Sequence, residues 1–108
     1  WQGDANEMAL RCFHHCSSPP KILNIAGPET ISVRWIAEEF GKLFNKKPLF
    51  INEEKPTALL SNAAESFRLF GYPHVTLKQM IELLAGWLLS GGKTINKPTH
   101  FQEREGNY

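Results

Sequence analysis

The stretch Ile22–Phe44, ILNIAGPETISVRWIAEEFGKLF, decides the expected fold. It begins with the apolar run Ile22–Ala26. Gly27-Pro28 ends this run, and glycine and proline are common at the end of a strand. Ser32 is a natural helix N-cap, because its hydroxyl can accept a hydrogen bond from a backbone N–H of the first turn. An apolar stripe at helical spacing follows: Val33, Ile36, Ala37, Phe40, Leu43 and Phe44. The stretch therefore predicts a strand, a tight turn and an amphipathic helix whose stripe is buried.

A second short apolar run, Leu49–Ile51, follows the helix and is interpreted as another strand. Two strands joined by one helix over this length favour parallel pairing with a right-handed crossover. The fold class predicted from these segments is α/β. The expected architecture is a short parallel strand pair with about four packing helices.

Capping residues predict three further helices. Asp4 begins a D-x-x-E cap for a helix from Ala5 to about Cys16. Asn62 caps a short helix through Phe70, and Gly71 should end that helix with a positive φ. Thr76 opens a T-x-x-Q capping box for the last helix. The apolar arc of this last helix is so wide that we expect cover on more than one side.

Composition indicates an ordinary soluble globular chain. Its 108 residues amount to one domain or less, with 42% hydrophobic and 21% charged residues. The net charge is +1 and the Lys and Arg residues are scattered, so no nucleic-acid partner is expected. The longest apolar run, Leu83–Leu89, is far shorter than the about 20 residues of a membrane span. We expect a cytoplasmic protein, and Trp1 as first residue indicates a fragment whose beginning is missing.

Cys12, His15 and Cys16 are the candidate metal ligands, since they lie near one helix face. A zinc site normally takes a second ligand pair from elsewhere, and only His74 and His100 could supply it. The favoured interpretation is structural: two small buried thiols on the inner face of the first helix, reduced and without metal.

Motifs for cofactor binding and catalysis are missing from the sequence. Its eight glycines form neither G-x-G-x-x-G nor G-x-x-x-x-G-K-[ST], and no tyrosine is followed four residues later by lysine. We therefore expect no catalytic, cofactor-binding or metal-binding residue in this chain. His100, Glu103 and Arg104 could serve acid–base chemistry or bind an anion, but a solvated end is favoured there. The expected organisation is one unit over residues 1–92 and a polar tail over residues 93–108.

Four short segments follow one another in a characteristic order. They are Gly3–Glu7, Asn24–Glu29 with Ser32–Ala37, Asn62–Ser66, and Leu69–Pro73 with Val75–Leu77 and Ile81. In this order they resemble the C-terminal part of the NAD(P)-dependent epimerase/dehydratase family, the extended short-chain dehydrogenases. The resemblance covers nearly the whole chain up to Gly92.

The resemblance implies that this chain is the substrate-binding C-terminal part of an oxidoreductase or isomerase. NAD or NADP and a Ser/Thr-Tyr-Lys set would lie in a missing N-terminal Rossmann domain. This chain would contribute a wall of the cleft for a small-molecule substrate, with Trp1 and Gln2 as the expected lining residues. An equally good interpretation is that Trp1 packs on the core. The apolar arc of Leu77–Leu89 and the inner face of the first helix need more cover than this chain provides, so we expect an exposed apolar patch on the isolated chain. The missing domain or self-association would cover it.

The segment Asn52–Lys55 departs from the family pattern. Sugar-nucleotide epimerases of this family usually carry a diphosphate-binding arginine there, whereas Glu53 and Glu54 would repel a diphosphate. A nucleotide-sugar substrate is therefore disfavoured. The family's first aspartate in the short helix is replaced by Asn62, which keeps the cap and loses the charge.

The alternative from a different functional class is a freestanding, non-catalytic α/β interaction module. Two short strands with four helices would make a poor independent core, which favours the enzyme fragment.

Overall fold

The computed structural model describes residues 1–98, and the regular secondary structure within this range is helical. The α-helices are α1 (Gln2–Arg11), α2 (Val33–Phe44), α3 (Ala64–Phe70) and α4 (Leu77–Leu89), and a 3₁₀ helix (Cys12–His15) continues α1. Irregular segments of 17 and more residues separate α2 from the helices on either side of it. α2 packs against α4, which brings the two longest helices together.

The predicted α/β fold is wrong, because neither apolar run forms a strand in the described part of the chain. Ile22 is 90% exposed and Leu49 is 88% exposed. A strand is stable only where its backbone N–H and C=O groups pair with a neighbour and one side-chain face is buried. The two runs do not pair with each other, so they remain irregular and the predicted crossover is absent from residues 1–98.

Local capping signals set the ends of three helices. The Ser32 hydroxyl accepts a hydrogen bond from the backbone N–H of Trp35 at 3.1 Å, as predicted. Thr76 and Gln79 form the predicted capping box at the start of α4. Gly71 ends α3 with φ of +81°, which confirms the expected positive φ.

The first helix differs from its prediction at both ends. It begins after Trp1, so Asp4 lies inside its first turn instead of capping it. The Asp4 carboxylate accepts hydrogen bonds from the distant residues His74 and Val75, which is why it is not available to its own helix. The α-helix also stops at Arg11, several residues before the predicted end.

The hydrophobic core of the described residues is small. Its buried members are Met8, Ala63, Phe70, Ile81 and Ala85, together with the polar residues Asp4 and Ser66. The predicted α2 stripe is at best half-buried, and Val33 is 77% exposed. The radius of gyration is 16.6 Å, against about 13 Å for a compact domain of this length. The helices therefore form an open arrangement in which much apolar surface faces solvent.

The outer face of α4 is not covered by the described residues, and the expected exposed apolar patch is present there. Its inner residues Ile81 and Ala85 are buried, but Leu83, Trp87 and Leu89 are exposed. Among the described helices, the one in extensive contact with α4 is α2.

Candidate functional site

A cleft of about 390 Å³ opens between α1 and the irregular segment that precedes α2. Ala5 and Met8 of α1 form one wall, and residues 25–29 form the opposite wall. Val75, Leu77 and Met80, at the start of α4, contribute to its lining. The cleft is mainly apolar, as small-molecule sites usually are, and carries a few polar groups that could orient a ligand.

Asp4 holds α1 against the turn that leads into α4. Its carboxylate accepts hydrogen bonds from the backbone N–H of His74 at 2.9 Å and of Val75 at 3.2 Å. The bond from His74, with help from Val75, holds the pKa of the Asp4 carboxyl below its ordinary value, although burial opposes this shift. Asp4 is therefore a buried anion that positions one wall of the cleft.

Arg11 attaches the other end of α1 to the end of α3. Its guanidinium donates to the backbone carbonyl of Phe70 at 2.9 Å and lies 5.0 Å from the centroid of that ring. The same group pairs with Glu7 at 3.2 Å. Two charged side chains therefore fix α1 against the α3–α4 turn, one near each end of the helix.

The opposite wall is tied to α3. The Asn24 side chain donates to the carbonyl of Asn62 at 3.3 Å, and Lys21 pairs with Glu65 at 2.7 Å. Arg68 also bonds Glu65, and the two cations, Arg68 first, lower the pKa of that carboxyl to about 2. A second concavity, of about 450 Å³, lies on the far side of residues 26–29 against α3. Residues 26–29 are thus a ridge between two hollows.

Glu29 is the charged residue of the cleft whose side chain has no bonding partner among the described residues. Its carboxylate makes no hydrogen bond or ion pair with any residue that the structure describes, whereas Asp4 is bound to two amides. Its Oε2 atom lies 3.7 Å from the position that a Cβ would take on Gly27, so the carboxylate folds back over the ridge. No Lys, Arg or His is found among the described residues that line the cleft.

The two sequence-predicted lining residues differ in position. Trp1 lines the cleft and is 51% exposed, whereas Gln2 is exposed and is not among the described lining residues. Sequence reasoning missed Glu29, although it lies in the stretch Asn24–Glu29 that carries part of the family resemblance. It also misassigned Asp4, because a carboxylate near a helix start gives the same local signal whether it caps that helix or binds a distant amide.

The thiols are more exposed than predicted. Cys16 is exposed and Cys12 is half-buried, so the expected pair of buried thiols is wrong. The helix changes to 3₁₀ geometry at Cys12, so the four-residue spacing no longer places Cys16 on the same face as Cys12. No group of three or more His, Cys, Asp and Glu residues suited to a metal ion is found within residues 1–98. His100, Glu103 and Arg104 lie outside the described residues.

Arg34 binds the segment that departs from the family pattern. It pairs with Glu54 at 2.7 Å and its guanidinium lies 4.0 Å from the Phe50 ring centroid. One face of the guanidinium therefore covers an aromatic ring, and its Nε–H donates to a carboxylate.

Comparison of the chain with models of protein families, with curated proteins and with solved structures finds no match. None of the helices in the described range is both long and apolar enough to cross a membrane.

Proposed function

We propose that this chain is the substrate-binding portion of an NAD(P)-dependent epimerase/dehydratase-like oxidoreductase. NAD or NADP and the catalytic residues would be held by an N-terminal Rossmann domain outside this sequence. The chain itself contributes a wall of the substrate cleft and the residues that orient a small molecule there. The proposal does not need the predicted strand pair, because helices and irregular segments form the cleft.

The observation that carries the proposal is that the segments resembling the family meet at one place. Asp4 of the first segment binds the amides of His74 and Val75, next to the fourth. Asn24 of the second segment binds Asn62 of the third. These contacts join parts of the chain far apart in sequence. Residues of the first, second and fourth segments line the cleft, whereas the third segment lines the second hollow beside residues 26–29. Such convergence of separate motifs on an apolar hollow is typical of a ligand site.

Exposed apolar side chains support an adjoining domain. Leu49, Ile51, Leu59 and Leu60 are all more than 60% exposed. Large exposed apolar side chains are often covered by another domain or partner. A Rossmann domain packed over these segments would remove the side chains from water.

The experiment is to extend the encoding reading frame upstream of the Trp1 codon and to purify its product. We expect a G-x-x-G-x-x-G strand–helix start and a Y-x-x-x-K motif, and micromolar binding of NAD⁺ or NADP⁺ by calorimetry. The 108-residue chain alone should bind neither, because a glycine-rich turn at a helix N-terminus is what holds the pyrophosphate. Micromolar cofactor binding by the 108-residue chain, or a start codon directly before Trp1, would contradict the proposal and favour the interaction module.

A matched pair of tryptophans tests the role of the cleft in that product. Trp1→Ala should raise KM for the substrate severalfold while the cofactor Kd stays unchanged, because Trp1 lines the cleft. Trp87→Ala is the control, since Trp87 is similarly exposed, at 44% against 51%, but lies on the outer face of α4. Equal effects of the two substitutions on KM would contradict the assignment of the cleft.

A further inference from the structure

The charge of the cleft indicates which ligands it can accept. Its lining holds two carboxylates, of Asp4 and Glu29, and no basic side chain among the described residues. Asp4 is an anion, but both of its carboxylate oxygens already accept backbone amides. Glu29 therefore provides the carboxylate of the cleft lining that is free to meet a ligand.

Basic side chains on neighbouring elements are already bound elsewhere. Arg34 pairs with Glu54 and covers Phe50, and Lys21 pairs with Glu65. Arg11 donates to the backbone carbonyl of Phe70 and to the carboxylate of Glu7. A phosphate or carboxylate group in the cleft would find no guanidinium or ammonium side chain among the described lining residues, although such groups normally require one.

We infer that the cleft selects small molecules with an apolar body and a neutral or cationic polar group, and that Glu29 sets this preference. The inference rests on the proposed function and narrows its substrate class. Phosphorylated and carboxylated compounds, nucleotide sugars included, are repelled by the Glu29 carboxylate in a hollow whose described lining holds no basic side chain. Amines and alcohols on an aromatic or aliphatic body are accepted.

The test uses three ligands with the same body and different charge: cinnamylamine, cinnamyl alcohol and cinnamate. Each is titrated into the 108-residue chain, and binding is followed by NMR through the amides of His74, Val75 and residues 25–31. We expect the amine to bind about tenfold more tightly than cinnamate, with the alcohol between them, from Coulomb interaction at about 5 Å in a partly solvated site. The ratio should shrink in high salt.

Glu29→Lys should reverse the order, so that cinnamate becomes the tightest of the three ligands. Glu53→Lys makes the same charge change on an exposed side chain outside the cleft lining and should leave the order unchanged. Glu29→Gln, which keeps the size of the side chain, should bring the three affinities close together. Acetylation of the amino terminus should strengthen the preference for the amine, because it removes a positive charge near Asp4.

The outcomes separate the inference from the proposed function. Cinnamate binding as tightly as cinnamylamine to the parent chain, or an unchanged order in both Glu29 variants, would overturn the charge preference and leave the cleft as a binding site. Absence of binding by all three ligands to the 108-residue chain would overturn the inference, whereas the proposed function is decided separately by the cofactor binding of the extended product.

Discussion

Two irregular parts of the molecule are held by charged side chains, but in different surroundings. The turn from Gly71 to Thr76 is bound by Asp4, which is buried and accepts two backbone N–H groups. The segment over residues 49–62 is exposed throughout, and Arg34 binds it through Phe50 and Glu54. Loss of the buried acceptor leaves amides without partners, whereas water can replace the exposed pair. The first attachment should therefore contribute far more to stability than the second.

The largest effect is expected for Asp4→Ala. The substitution removes the acceptor of the His74 and Val75 amides and lets the cleft wall separate from α4. We expect the melting temperature to fall by about 15 °C, because buried donors are left unpaired. Asn6→Ala, an exposed position on the same helix, is the control and should change it little. A fall of only a few degrees would show that the buried carboxylate does not hold the turn.

Substitution of Gly71 tests whether the backbone conformation of the turn contributes to stability. With φ of +81° and ψ of −173° it occupies a region that only glycine adopts readily, and nothing lies within 4 Å of a Cβ placed there. Gly71→Ala should therefore destabilise by about 1–2 kcal/mol through strain alone, and Gly71→Val by more.

Gly86 in α4 provides the matched control for Gly71. A Cβ at Gly86 also meets nothing within 4 Å, but the backbone there is helical. Gly86→Ala should stabilise the chain by about 0.5–1 kcal/mol, the opposite sign. Urea unfolding of Gly71→Ala and Gly86→Ala measures the change in the free energy of unfolding for each. Equal changes at the two glycines would contradict the backbone explanation.

Glu65 should make stability depend on pH. Its pKa is about 2 in the folded chain, against 4.5 ordinarily, because Arg68 and Lys21 bind the carboxylate. A lowered pKa means that the stabilisation is present above about pH 4.5 and is lost as pH falls towards about 2. Glu65→Gln should flatten the fall of the urea midpoint over this range, although Asp4 contributes to the same fall. An unchanged pH profile in Glu65→Gln would show that the ion pairs do not form in solution.

The smallest effect is expected for Arg34→Ala. Its partners lie on an exposed segment, and surface pairs typically contribute about 0–1 kcal/mol, so the melting temperature should barely change. Hydrogen exchange over residues 49–62 should nevertheless become faster, because Phe50 and Glu54 lose their attachment. Lys42→Ala is a suitable control, since Lys42 pairs only within α2, with Glu39. A large loss of global stability in Arg34→Ala would contradict the contrast between the two regions.

The helices were predictable where their ends depend on neighbouring residues. Ser32, Thr76 and Gly71 act within one helical turn of their own positions, so their effect is written in the local sequence. The strands at Ile22–Ala26 and Leu49–Ile51 were not predictable in this way. An apolar run indicates burial, but whether a partner strand is available is a property of the whole fold.

The candidate site was predicted only in part. Trp1 and Gln2 were expected to line a substrate cleft, which stays a prediction; Trp1 borders the hollow beside α1, Gln2 is not among its described lining residues, and Glu29 was not recognised. Resemblance to the epimerase/dehydratase family brought attention to the segments that meet at the cleft. It could not show which of their polar side chains would remain without a partner, because that depends on contacts between distant segments.

The sequence by itself determined the positions of α2, α3 and α4, the turn at Gly71 and the absence of a dinucleotide-binding motif. Each of these depends on residue types within a few positions of one another, where propensity, capping and steric limits act. The tertiary structure alone decided that the apolar runs remain unpaired, that α2 packs on α4, and that Asp4 binds amides 70 and 71 residues away. A carboxylate can satisfy many donors, and only the assembled chain determines which buried amides would otherwise lack an acceptor.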